Sequence, residues 1–440
     1  MAGSRREAGS VLMVTLVAVT VLGQRISLPI STGVSLLLPV TLALLLVGLR
    51  LGVFEWERLR LGLYAACTGL AAFVALVNAG RGTGWSPASL ALLVVLYLPL
   101  CCVVEHGRRD RARTAALTTF VRLLTVLAWA SLLYLLLQVT GVLVYRDLLA
   151  DVVPDAFLNT GFNTANPYYY GSPYYRANGF FFLEPSFFSQ ALGLAVLASL
   201  YLRLSPGRLF PMLAAMLATS AGTGVVVLVV GVVVLALGRR RDGIRAFGLP
   251  AAGALVLLLL TPLGSIFASR LFEGRTEGTS SSLRFALPFE YLVPRWQQDA
   301  FTMAFGAGPG AAERFVQTTR FGVELQSPAL LKLLVDYGMI VAIAMTFFVC
   351  LVLLHGTATP ALAVAAVLTY EVLNSALLLP NVVVLSWVLV AATPSYRHGP
   401  APDPAEPDPP EHLRRTDPLR EHAQATGRPV DAVRDELARR

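Results

Sequence analysis

The stretch YYRANGFFFLEPSFFSQALGLAVLASLYL, Tyr174 to Leu202, carries an arginine, a carboxylate and a proline where a polar, tyrosine-rich loop runs into an apolar helix. Residues 179–202 are long enough to cross a bilayer, which takes about 20 predominantly apolar residues. The stretch therefore predicts a membrane-spanning helix entered from a polar loop. A charge at membrane depth costs about 2.5–3.5 kcal/mol on insertion scales, so Arg176 and Glu184 mark a candidate functional site.

Apolar runs of the same kind recur along the chain. Of 440 residues, 55% are hydrophobic and only 14% are charged, against about 25% charged in an average soluble domain. Mean hydropathy is +0.65. The predicted fold is all-α, a polytopic membrane protein. Candidate spans lie near 10–29, 33–49, 61–79, 87–104, 117–145, 179–202, 207–220, 223–238, 247–263, 328–354, 359–379 and 381–394. That makes about 12 transmembrane helices in a domain over 1–394, with a large extracytoplasmic loop between the ninth and tenth. Arg5 and Arg6 precede the first run without an obvious small-residue cleavage site, so it reads as a span rather than a removed signal peptide.

The net charge of +8 rests on arginine, because Lys332 is the only lysine. The arginines sit in short loops between apolar runs, which points to topology and away from nucleic acid. With the N-terminus cytoplasmic, one side holds Arg50, Arg58 and Arg60, then Arg108, Arg109, Arg111 and Arg113. Arg203 and Arg208 follow there, then Arg239, Arg240, Arg241 and Arg245. The opposite short loops hold only Arg25 and Arg81. This asymmetry predicts that both termini are cytoplasmic. Two longer segments then face outward, about 146–178 and about 264–327, and loops of that length are usually functional or disordered. Beyond 394 the chain turns proline-rich and charged (APDPAEPDPPEHLRR), and 395–440 reads as a disordered cytoplasmic tail.

Arg176 is either an interfacial arginine snorkelling to headgroups or an anion clamp, its planar fork matching phosphate oxygens. Tyr168, Tyr169, Tyr170, Tyr174 and Tyr175 surround it, as an interfacial belt or as platforms for sugar rings. Glu184 stands before Pro185, a position that favours a helix start. It pairs with an arginine or serves as an acid or base, because burial without full pairing raises a carboxyl pKa. Ser186 and Gln190 follow on the same helix, able to hydrogen-bond a substrate or each other. In the second loop, SSSLRFALP and YLVPRWQQD suit interfacial helices. Their arginines, Arg284 and Arg295, either contact a diphosphate or pair with Glu290 or Asp299. Lys332 and Asp336 share a helix face and are expected to pair. Glu371 and Asn374 mark a polar cavity or a helix–helix hydrogen bond. Cys67, Cys101, Cys102 and Cys350 lie within apolar runs, and the five histidines show no metal-ligand spacing. Neither a disulfide framework nor a metal site is predicted, and no cofactor.

Three segments in order carry a resemblance. RANGFFFLEPSFFSQ is followed by the small polar turn TSAGTG (Thr219–Gly224). Then comes the loop with Arg284, GAGPG (Gly306–Gly310) and SPALLKLLVDYGMIV. Over roughly 170–345 the chain resembles the bacterial O-antigen ligase and O-antigen polymerase superfamily. The resemblance implies a metal-independent membrane glycosyltransferase acting on a polyprenyl-diphosphate-linked oligosaccharide at the outer face of the bacterial cytoplasmic membrane. It implies Arg176 and Arg284 as diphosphate binders, with Glu184 positioning or activating the acceptor. Arg295, Ser186, Gln190 and Tyr175 are the candidate substrate contacts. Ligases of the family tend to carry a His-Asn pair where this chain has Ser327 and Pro328, so a polysaccharide polymerase is favoured over a ligase. A transporter or flippase of lipid-linked sugars is the alternative of a different class. Besides the lipid-linked donor and membrane lipids, a chain-length regulator is a candidate partner.

Overall fold

A computed structural model describes residues 2–29, 34–82, 84–159, 161–168, 171–237, 282, 286–317, 327–374 and 376–395. The ninth predicted span, Arg284, Tyr169, Tyr170 and the tail beyond 395 lie outside the described residues, as do 264–281 and 318–326 of the second loop.

Helices dominate. In chain order they are α1 (Ala2–Leu22), α2 (Leu37–Arg50), α3 (Arg58–Gly80), α4 (Pro87–Tyr97), α5 (Arg109–Val139), α6 (Pro185–Tyr201), α7 (Leu209–Ala218) and α8 (Gly222–Leu237). After the undescribed stretch come α9 (Leu287–Trp296), α10 (Ala300–Phe305), α11 (Ala311–Gln317), α12 (Ala329–Leu354), α13 (Pro360–Leu368) and α14 (Pro380–Ser386). Among the described residues, three helices are long and apolar enough to cross a membrane: Arg58–Gly80, His106–Val139 and Ala329–Leu354. The other apolar helices run 10–17 residues.

Local chemistry sets many of the boundaries. Glu57 caps α3 by accepting from the Arg60 amide at 2.7 Å, and Asp299 caps α10 by accepting from the Thr302 amide at 2.8 Å. Proline occupies the first turn of α4, α6, α13 and α14, where its missing N–H costs nothing. The predicted span 87–104 is not one helix. It ends at Tyr97, because the following Leu98–Cys101 turn contains Pro99 and the chain then extends. Cys102–Val104 (β2) pairs antiparallel with Phe54–Trp56 (β1), a ribbon that no apolar count reveals. Nor does a helix fill 117–145, since α5 starts at Arg109 and stops at Val139.

The packing is centred on α6, which is buried all round from Phe187 to Ser199. It lies on α8 through glycines. A Cβ on Gly224 would stand 2.2 Å from the Ser189 carbonyl oxygen, and one on Gly231 would strike Leu197 at 2.2 Å. Such close approach is the usual basis of helix association in apolar surroundings. On the other side α5 packs on α1, α6 and α7.

The second glycine-dependent junction lies in α12. Gly338 breaks that helix, with φ 77° and ψ 176°. The break opens room for the GAGPG turn, whose Gly306, Gly308 and Gly310 all have positive φ. The Ala307 amide donates to the Val335 carbonyl at 2.8 Å. Asp336 accepts from the Ala312 amide at 2.7 Å, which seats α11 on α12. The expected Lys332–Asp336 pair is secondary at 3.9 Å, because Lys332 turns to Glu313 instead. Burial raises the Glu313 carboxyl, but Lys332 more than offsets it and leaves the group below its ordinary value.

This junction leaves no room for a methyl group. A Cβ on Gly338 would stand 2.3 Å from the Ala304 carbonyl oxygen. Gly338→Ala is expected to cost about 3 kcal/mol or more, because positive-φ strain alone is of order 1–3 kcal/mol. Gly62→Ala, at a helical site with nothing within 4 Å, is expected to be neutral or to stabilise by up to about 1 kcal/mol. Thermal unfolding of the purified proteins in detergent compares the two; equal losses would rule out the packing account.

Candidate functional site

The segment that enters α6 is built as a folded strap at one end of the bundle. Residues 166–168 and 171–176 lie against each other: Tyr168 N donates to Tyr174 O at 3.1 Å and Arg176 N to Asn166 O at 2.9 Å. The strap then lies on the turn between α7 and α8. The Ala218 carbonyl accepts from the Ala177 amide at 3.2 Å and from the Tyr168 hydroxyl at 2.6 Å. Past the turn, Ser189 Oγ donates to Ala221 O at 3.1 Å and Thr223 Oγ1 to Ser186 O at 3.4 Å. Two of the segments singled out in the sequence, 174–190 and 219–224, are therefore one physical unit.

Between strap and helix the chain passes through two successive left-handed residues, Gly179 (φ 66°) and Phe180 (φ 63°). A phenylalanine there is strained, at a cost of order 1–3 kcal/mol. Two side chains hold it. Asn178 Oδ1 accepts from the Phe180 amide at 3.0 Å, and Arg25 donates to the Phe180 carbonyl at 3.0 Å. Arg25 is buried and grips Asp147 with both fork nitrogens, at 2.8 and 2.5 Å. Neither residue stood out in the sequence as part of a site. The available signal was that Arg25 is one of two arginines in the sparsely charged short loops.

Glu184 emerges from this turn as the residue before Pro185, buried, at the positive end of the α6 dipole. It accepts from Ser186 Oγ at 3.2 Å, so Ser186 serves the carboxylate and not Gln190. Gln190 reaches across to Asn374 in a reciprocal amide pair, at 3.1 and 2.6 Å. Asn374 follows a wide helical turn, Thr369–Leu373, where α13 gives out. Nearby, Asn381 donates to Gln24 Oε1 at 3.4 Å. These four amides, with Phe182 and Phe187, line a small, partly open cavity. Neutral amides suit hydroxyl-bearing or water-like occupants better than charged ones.

Arg176 is half-buried, and its guanidinium reaches the Tyr168 carbonyl at 3.4 Å. Burial pushes the Tyr168 hydroxyl up to about 12, with Arg176 pulling the other way, so this tyrosine keeps its proton at neutral pH. Tyr175 is stacked on Tyr145, ring centroids 4.2 Å apart and 15° from parallel, so its face is already used. Arg295 belongs elsewhere. It sits over the Phe315 ring at 5.2 Å, a cation–π contact, rather than pairing with Glu290 or Asp299. Within the bundle, both Glu371 oxygens are buried and accept no hydrogen bond from the described residues. The Thr346 hydroxyl faces them. Among the described residues no three His, Cys, Asp or Glu side chains gather where a metal would be held.

Asp147 gives this end of the bundle a pH signature. Burial by itself raises its carboxyl, but the Arg25 fork, with the Ala150 amide and the Thr164 hydroxyl, more than offsets that and holds it below its ordinary value of 3.8. A depressed carboxyl stabilises fully above its unfolded value and loses that contribution as pH falls through the folded one. Asp147→Asn is expected to cost about 2–3 kcal/mol by leaving Arg25 buried without its counter-charge. The gap in thermal midpoint between wild type and variant should hold from about pH 8 to about pH 5, then close below about pH 4. A gap independent of pH down to acid denaturation would mean that the ion pair contributes nothing.

A scan against protein-family models finds no match for this chain, and neither does a search of curated proteins.

Proposed function

We propose that the chain is a membrane glycosyltransferase that polymerises polyprenyl-diphosphate-linked oligosaccharide repeat units on the outer face of the bacterial cytoplasmic membrane. The observation that carries this reading is the convergence of Arg176 and Glu184 on one folded unit, with the 219–224 turn beneath them, at an end of an apolar helical bundle. In this reading the bundle has about 12 spans, both termini are cytoplasmic, and the strap faces outward.

The chemistry asked of the site is modest. As the bond from sugar to diphosphate breaks, negative charge builds on the leaving group. A guanidinium already in place stabilises that charge more in the transition state than in the ground state. Arg176 takes that role, joined by Arg284 from outside the described residues. Glu184, hydrogen-bonded to Ser186 and buried, positions the acceptor hydroxyl or takes its proton. The amide-lined cavity at Gln190, further along α6, supplies neutral hydrogen-bonding groups. No step calls for a metal or a nucleotide sugar.

A second reading, transport of the lipid-linked sugar, is favoured by one feature. Glu371 is a buried carboxylate away from the strap, and intramembrane carboxylates often lie on ion or substrate pathways. One experiment separates the two. In a deletion strain, single repeat units on an outward-facing lipid carrier, with no long chains, are expected for the polymerase. Units trapped on the cytoplasmic side would indicate transport, and long chains stranded on lipid would indicate a ligase. In complementation, Arg176→Ala is expected to lower polymer yield at least about 100-fold at normal protein level, the loss that follows removal of one transition-state donor. Near-wild-type polymer from that variant would remove Arg176 from the reaction.

A further inference from the structure

The loop that follows α5 does not leave the bundle. Gly141 reverses the chain with φ 73°, and Leu143 N donates to Leu137 O at 3.0 Å. Arg146 is tied to the Tyr134 hydroxyl twice, its amide donating at 2.7 Å and its carbonyl accepting at 2.8 Å. Tyr134 lies five residues before the end of the helix, about 7 Å along the axis at 1.5 Å per residue. Residues 142–146 therefore run back beside the last turns of α5 before the chain moves on.

That stretch of α5 is part of one of the helices long enough to cross a membrane, and its outer face is apolar. Val126, Trp129, Leu133, Leu136 and Val139 recur at helical spacing, and all are exposed. The returning loop continues the same surface. Val144 is 84% exposed and Val152 81%, with Val142 and Leu148 also outward. The polar side of the loop is turned inward, where Arg25 grips Asp147 and Tyr145 stacks on Tyr175. Arg146, Asp151 and Asp155 sit exposed along the edge, where charged groups meet headgroups.

We propose that residues 142–157 form a re-entrant apolar edge inserted at the acyl–headgroup boundary of the lipid bilayer, continuous with the lipid-facing stripe of α5. The occupant follows from that continuity. A surface that extends a spanning helix's apolar face beside that helix's last turns meets the medium that surrounds those turns. Charges border it as they border interfacial segments in general. The edge adjoins the candidate site through the Tyr145–Tyr175 stack, but the inference does not depend on the reaction.

The test uses the full chain in phosphatidylcholine–phosphatidylglycerol vesicles, with Val144→Cys or Val152→Cys labelled by an environment-sensitive fluorophore. Labelled wild type supplies the background from Cys67, Cys101, Cys102 and Cys350. Lipids carrying a nitroxide near the headgroup are expected to quench both positions at least about twofold, with iodide quenching weak, as for interfacial insertion. Iodide quenching close to that of free label would place the loop in water and overturn the proposal. Protection from both quenchers would mean that a second copy or another part of this chain covers the edge, and would overturn it equally.

Discussion

Every backbone carbonyl released inside an apolar bundle has to find its donor within the protein, since hydrocarbon offers none. This constraint organises the structure. The helices here break often, and at several of the breaks a specific group satisfies a freed carbonyl. The Val335 carbonyl, freed at Gly338, takes the Ala307 amide, and the Phe305 carbonyl takes the Asn78 amide at 3.2 Å. At the far end of the bundle Arg60 donates to the Ala391 carbonyl at 2.8 Å, and Trp387 Nε1 to the Cys102 carbonyl at 2.9 Å. Tyr97 closes the Leu377 carbonyl at 2.9 Å. Several polar side chains that would be costly in such surroundings, Asn78, Tyr97, Arg60 and Trp387 among them, are used to satisfy backbone carbonyls there.

The candidate site is a special case of the same rule. Arg25 reaches the Phe180 carbonyl and thereby holds a turn that the backbone alone disfavours. That turn delivers Glu184 to the start of α6, where the helix dipole favours a carboxylate. Asp147 keeps Arg25 in place, and Asn178 secures the turn from its other side. The strap around Arg176 is held by the Ala218 carbonyl, at the end of the helix preceding the 219–224 turn. The candidate site and the fold share one set of hydrogen bonds.

Much of this was legible in the sequence because apolarity and spacing are local properties. The helical character of the chain follows from run length. The starts of α4, α6, α13 and α14 follow from Pro87, Pro185, Pro360 and Pro380. The singling out of 174–190 as a candidate rests on charges that are out of place in their neighbourhood. Partners were not legible. Lys332 looked paired to Asp336 by helical spacing, yet Glu313 arrives from another helix and takes it. Gln190 was read as a partner of substrate or of Ser186, yet Asn374, 184 positions away, occupies it. Arg60 looked like a topology signal and is a buried staple.

The sequence by itself determined the class of structure, a bundle of apolar helices with its polar chemistry gathered in a few segments. Those features depend on each residue's own solvation and on neighbours within a turn or two. Only the tertiary structure decided which segments meet. The 174–190 strap on the 219–224 turn and the GAGPG loop in the gap at Gly338 each require two distant stretches to complete each other's hydrogen bonds. A single chain read in order gives no distance between such stretches, because complementarity between them exists only once the chain has folded.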